Sequence, residues 1–182
     1  SLVKAGQTPH PRVFVALGTE ASAALASGAG ATPVLSALLP RSSFERVLQA
    51  SGRKTSSQFT ALYLDQPLSR QMALIHLALP AAQRVGVLLG QESVLRAPAL
   101  RSLAQANGLT LVEALADSPK TVFPRLKTLL DDCDVLLALA DPQVYNSNSL
   151  QNILLTTFRE KVPMVAFSPA YVRAGALMSL HV

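Results

Sequence analysis

The residues of this chain that can do chemistry gather just past the ends of four apolar runs. Asp141 follows the run Val135–Ala140 and precedes Pro142, with Tyr145 and Asn146 within the next turn. A carboxylate placed there can pair with a ligand ammonium, and partial burial strengthens such a hydrogen bond. It can equally cap the turn that follows. Gly18, Thr19, Glu20 and Ser22 come after VFVAL. Gly18 allows a tight turn, and the N–H groups at a helix start can hold a carboxylate, although Thr19 or Ser22 can serve simply as the helix cap. Gln91, Glu92 and Ser93 occupy the matching turn after RVGVLLG, with the same two readings. Ser168 and Tyr171 end the fourth run, VPMVAF. A tyrosine at a cleft can stack on a ring or donate a hydrogen bond, and Tyr145 can equally pack beneath the next helix.

Catalysis is poorly served by this set. His10, His76 and His181 lie far apart in the chain, and no Ser/His/acid arrangement or carboxylate pair emerges. The turns LGTEAS and LGQES lack the spaced glycines of nucleotide-binding or hydrolase loops. Cys133 is the single cysteine and is flanked by Asp131, Asp132 and Asp134. Those carboxylates would raise a thiol pKa, so a small buried filler is the better reading than a nucleophile. No Cys/His cluster suggests a metal, and no cofactor motif is present. The expectation is a binding protein, not an enzyme.

The elements that must position these turns follow from period and punctuation. Continuous β-branched and leucine-rich runs suit parallel strands covered on both faces. Strands are expected at Val13–Gly18, Pro33–Leu39, Arg84–Gly90, Thr110–Ala116, Val135–Ala140 and Val162–Phe167, with an extended stretch at Phe59–Asp65. Helices are expected at Glu20–Ser27, around Ser43–Ser51, from Pro67 to Pro80, up to Asn107-Gly108, at Pro119–Asp131 and at Ser147–Arg159. Such alternation means an α/β fold with parallel sheets and right-handed crossovers. Polar residues beyond the carboxyl ends of such strands stand where these sheets bind ligands.

Composition narrows the class further. In 182 residues, 49% are hydrophobic and 15% charged, which is ample material for a core. No apolar run reaches the length of a membrane span, and the opening Ser-Leu-Val-Lys carries no charged-then-apolar signal segment. The net charge of +5 is concentrated in residues 1–80, which hold seven Lys/Arg against three acids. These cations are scattered without interleaved aromatics, so no nucleic-acid partner is expected. A change from basic to balanced composition, with the irregular stretch at Thr60–Gln66, divides the chain into residues 1–66 and 67–182.

From Leu64 onward the chain resembles the ABC transporter substrate-binding protein family. The matching segments are LDQPLSRQMALIHLALPAAQRVGVLLG, RSLAQANGLTLVEA and DVLLALADPQVYNSNSLQNILLTTFREKVPMVAFSPAYVRAGAL, joined upstream by VFVALGTEASAAL and ATPVLSALLP. The resemblance implies a type I periplasmic-binding-protein fold, with two Rossmann-like lobes that close on a ligand. Residues 1–66 would be an incomplete N-terminal lobe and 67–182 the C-terminal lobe, crossing back near 169–182. It further implies a non-enzymatic solute-binding protein for a small polar ligand held in an interlobe cleft, an amino acid being one class that relatives bind. A membrane ABC permease would be its partner and the periplasm or another extracytoplasmic space its location. A ligand-sensing regulatory domain on the same architecture is the alternative. Edge strands left uncovered in an incomplete lobe would favour a homodimer.

Overall fold

The computed structural model describes residues 11–181; His10, one of the histidines weighed above, lies outside them. The chain divides into two compact units, residues 1–65 and 66–182.

The first unit is a parallel sheet in the order β1-β2-β3, formed by Phe14–Leu17, Val34–Leu39 and Phe59–Tyr63. Helices α1 (Gly18–Gly28) and α2 (Arg41–Ser51) connect these strands. Because both right-handed crossovers step in the same direction, both helices fall on one face of the sheet. That face holds the core: Ala16, Val34 and Phe59 from the strands meet Ala26, Phe44 and Val47 from the helices. Phe44 stacks on Phe59 at 5.5 Å and meets Tyr63 edge-on at 5.8 Å. The alternate residues Val13, Val15, Leu17 and Leu62 are exposed. The run VFVAL is therefore not buried on both faces within this unit, contrary to the expectation from its composition. Strand order, which no run of residues announces, decides the point.

The second unit carries a parallel sheet in the order β5-β4-β6-β7-β8. Its strands are β4 (Arg84–Leu89), β5 (Thr110–Leu115), β6 (Val135–Leu137), β7 (Met164–Ala166) and β8 (Met178–Ser179). Helices α3 (Leu68–Ala78) and α4 (Ala97–Ala106) pack on one face through Met72, Ile75, Leu100 and Ala104. On the other face, α5 (Val122–Asp131) and α6 (Leu150–Arg159) contribute Leu126, Leu129, Ile153 and Leu154. The chain thus winds one way from β4 to β5 and the other way from β6 onward, which puts a switch point between β4 and β6. Here RVGVLLG is buried on both sides as its composition implies. The apolar run Val135–Ala140 outlasts regular strand β6; Ala138 N–H still donates to Val165 O at 2.9 Å, and both Ala138 and Leu139 are buried. A further helix, α7 (Pro169–Ala174), follows β7. The two-residue β8 was too short to leave a periodic signal.

Asp134 closes the amino end of this sheet. Its Oδ2 accepts from the N–H groups of Gln83 and Arg84 at 2.9 and 2.8 Å, and its Oδ1 from Arg84 Nη2 at 2.9 Å. The Arg84 bond, followed by the backbone donors, holds the Asp134 carboxyl below the usual carboxylate range. None of the helices among the described residues is long and apolar enough to cross a membrane.

Candidate functional site

The switch point of the second unit is braced by a buried carboxylate. Asp141 is 1% exposed. Its Oδ2 accepts from Ser93 N at 2.9 Å and from Ser93 Oγ at 2.7 Å, while its Oδ1 accepts from Gln143 N at 3.0 Å. Ser93 Oγ accepts in turn from Gly90 N at 2.9 Å. Gln143 extends the network, donating from Nε2 to Ala116 O at 2.7 Å and accepting from Gln91 N at 3.4 Å. One connected set of bonds therefore ties together the chain just beyond β4, β5 and β6. Burying a carboxylate is costly unless such donors surround it. Gly90 has a steric reason to be glycine: a Cβ there would lie 2.6 Å from both Asp141 oxygens.

This geometry gives Asp141 the turn-capping part that its position also allowed, and much more besides. The carboxylate faces protein donors in the turn after β4 and in its own loop after β6. Its direct effect is to fix the turn Gln91–Ser93 against the loop Pro142–Gln143. Gln91 is left exposed and Glu92 half-buried on that turn. Gln143, which carries no motif, and Gly90, visible only as a glycine ending an apolar run, were not singled out as site residues from the sequence.

The residues after Asp141 are also engaged internally. Asn146 Nδ2 donates to Pro142 O at 2.9 Å, and its Oδ1 accepts from Asn148 N and Ser149 N at 3.0 and 3.2 Å. Its side chain thereby builds the turn into α6. Tyr145 is buried, packs edge-on to Phe167 at 6.2 Å, and its hydroxyl finds no partner among the described residues. Burial pushes the Tyr145 phenol well above its ordinary range. Tyr171 is half-buried, tilts against Phe167 at 4.7 Å, and donates weakly to Tyr145 O at 3.4 Å. Burial raises its phenol too. Ser168 caps α7, accepting from Ala170 N at 3.2 Å.

In the first unit, Gly18 adopts φ +83°, a left-handed conformation suited to glycine, and opens α1 directly from β1. No side chain caps α1, so neither Thr19 nor Ser22 fills that role. Ser22 is buried and donates to Gly18 O at 2.8 Å, back-bonding within the helix. Thr19 and Glu20 are exposed at the carboxyl end of this sheet. The predicted residues thus form two groups, one per unit: Gly18, Thr19, Glu20 and Ser22 in the first; Gln91, Glu92, Asp141, Tyr145, Asn146, Ser168 and Tyr171 in the second. Among the described residues no His/Cys/Asp/Glu cluster has the form of a metal site.

Comparison with known proteins adds a family to this geometry. A family model described as ABC transporter substrate binding protein matches residues 3–182. A crystal structure of a conserved domain protein from Vibrio cholerae is 24% identical, with TM-score 0.66, over 93% of this chain and 57% of that one. A Streptococcus pneumoniae ABC domain in complex with L-Trp is 19% identical, with TM-score 0.65, over 98% of this chain and 60% of that one. A ligand-free, open substrate binding protein with adhesive properties from Clostridium difficile is 20% identical, with TM-score 0.70, over 91% and 56%. The chain therefore spans less than two thirds of the length of these solved structures. No curated protein sequence gives a significant match.

Proposed function

The chain belongs to the ABC transporter substrate binding protein family, and on that premise we propose that it captures a small polar ligand, an amino acid first among the candidates, for delivery to a membrane permease. Proteins of this family typically bind solutes rather than transform them. Extracytoplasmic action is part of the same proposal.

The observation that carries it is the braced switch point. Asp141, Ser93 and Gln143 hold three strand ends in fixed relation, and pre-ordered turns of this kind bind without having to order themselves first. Thr19, Glu20 and Gln91 are the candidate side chains exposed to meet a ligand. The buried Asp141, Ser22 and Tyr145 would act by keeping those turns in place. An amino acid ligand is favoured because the pneumococcal structure of the same fold holds L-Trp, and because the N–H groups at the start of α1 suit a carboxylate.

A thermal-shift screen of the full-length protein against the amino acids and other small metabolites tests this. Stabilisation by one chemical class is the expected result, at about 2.7 kcal/mol when ligand is present at a hundredfold its Kd. No stabilisation by any amino acid at millimolar concentration would remove that ligand class.

A further inference from the structure

Helix α6 carries more apolar surface than its packing on the second sheet uses. Leu155 is 44% exposed and Phe158 81%, both on a helix whose Ile153 and Leu154 are buried in the core. Leu150, Leu154 and Phe158 recur every four residues, along about 12 Å of helix. They line one wall of a groove of about 570 Å³, whose other wall is Ala174 and Gly175 at the end of α7. Beyond Phe158 the groove continues past Lys161 and Pro163 to Leu177, which is 53% exposed. An apolar hollow with anchors spaced by one helical turn has the form that receives the apolar face of another helix.

Charge narrows the choice of occupant. Residues 142–182 hold Arg159, Lys161 and Arg173 against a single acid, Glu160. All three cations are exposed beside the groove. Lys161 lines it, Arg159 follows Leu155 by one turn of α6, and Arg173 adjoins Ala174. A second copy of this face would bring three more cations and only one acid to meet them. A bilayer is flat and would touch Phe158 without following the hollow behind it. We propose that this groove is the docking site of an amphipathic helix from a partner protein, apolar on one face and acidic on its flanks. The apolar face supplies the contact area, and the acids set orientation and the rate of encounter. The inference is independent of the ligand and of the turns at the switch point.

The test uses the full-length protein and a fluorescent helical peptide of about 18 residues, with leucine on one face and glutamate on both flanks. Its counterpart carries lysine for every glutamate. By anisotropy, wild type should bind the acidic peptide about tenfold more tightly than the basic one, a preference that salt should erode. Phe158→Ser should weaken the acidic peptide about tenfold and leave Tm unchanged, because that side chain is exposed. Arg159→Gln, Lys161→Gln and Arg173→Gln together should abolish the preference between the peptides, a readout that does not depend on Phe158. Failure to bind either peptide, equal binding of both by wild type, or a preference that survives the triple substitution overturns the inference. Tighter binding to phosphatidylglycerol vesicles than to the acidic peptide assigns the face to a membrane and overturns it. Sedimentation as a dimer that Phe158→Ser disperses assigns the face to a second copy and overturns it likewise.

Discussion

The carboxylate of Asp141 fills the space that a side chain on Gly90 would need, with both oxygens 2.6 Å from the position of that missing Cβ. Gly90→Ala should therefore push the carboxylate off Ser93 and leave a buried charge short of donors. The expected loss of stability is roughly 2–4 kcal/mol by urea unfolding. Wild-type stability in this variant would show that the loop yields freely.

Removing the acid from the other side should cost less in sterics and more in order. Asp141→Ala leaves Ser93 N, Ser93 Oγ and Gln143 N without their acceptor, a loss of about 2–3 kcal/mol. Because the turn Gln91–Ser93 then loses its anchor, affinity for whichever amino acid the screen identifies should fall at least tenfold, about 1.4 kcal/mol. Combined with Gly90→Ala, the effects should be less than additive, since both act on one network. Additive losses would separate the two residues.

Cys133 predicts an alkaline signature. Burial first, and then Asp134, push its thiol from 9.0 up to about 11. The folded state thus keeps the proton more tightly than the unfolded state. The associated stability is complete below pH 9 and is lost as pH rises toward 11. Cys133→Ser should show a shallower decline across that window in denaturant titrations. The native thiol should also resist a disulfide reagent at pH 8, where fast labelling would contradict its burial.

Asp134 predicts the opposite limb. Its folded pKa is lowered, mainly by Arg84, so its contribution is present above 3.8 and fades as pH falls through the folded value. Asp134→Asn should flatten the acid-unfolding curve below about pH 4 and lower stability modestly at pH 7, where the wild type still draws on that contribution. An unchanged acid limb would place the sensitivity elsewhere.

The first unit depends on few large side chains, and Phe44 is central among them, buried and in contact with both Phe59 and Tyr63. Phe44→Ala should cost about 3–5 kcal/mol. Hydrogen exchange should then show residues 14–63 opening while β4 to β7 keep their protection. Uniform loss across the chain would mean that the units unfold as one.

Much of the fold was legible because its signals are local. RVGVLLG reads as a buried strand from its composition, and Pro80, Gly108 and Pro119 punctuate the helices between strands. The polar turns, too, are visible where apolar runs stop. Contacts across the sheet were not. Asp141 meets Ser93, 48 positions away, only because β6 lies beside β4 and not beside β5. Strand order likewise determines that Val15 is exposed and Val87 buried, although both sit in similar valine-rich runs. The bulge that turns Leu39 into the first unit's core gave no signal, since a bulge is a mismatch between two strands and neither one reveals it by itself.

The one-sided helices of the first unit have a practical corollary. Val13, Val15, Leu17, Leu62 and Leu64 offer water an oily surface on a polypeptide of modest size. Residues 11–65 prepared in isolation should bind hydrophobic dyes and self-associate as concentration rises. Whoever trims this protein for study will meet that stickiness before any question of ligand arises.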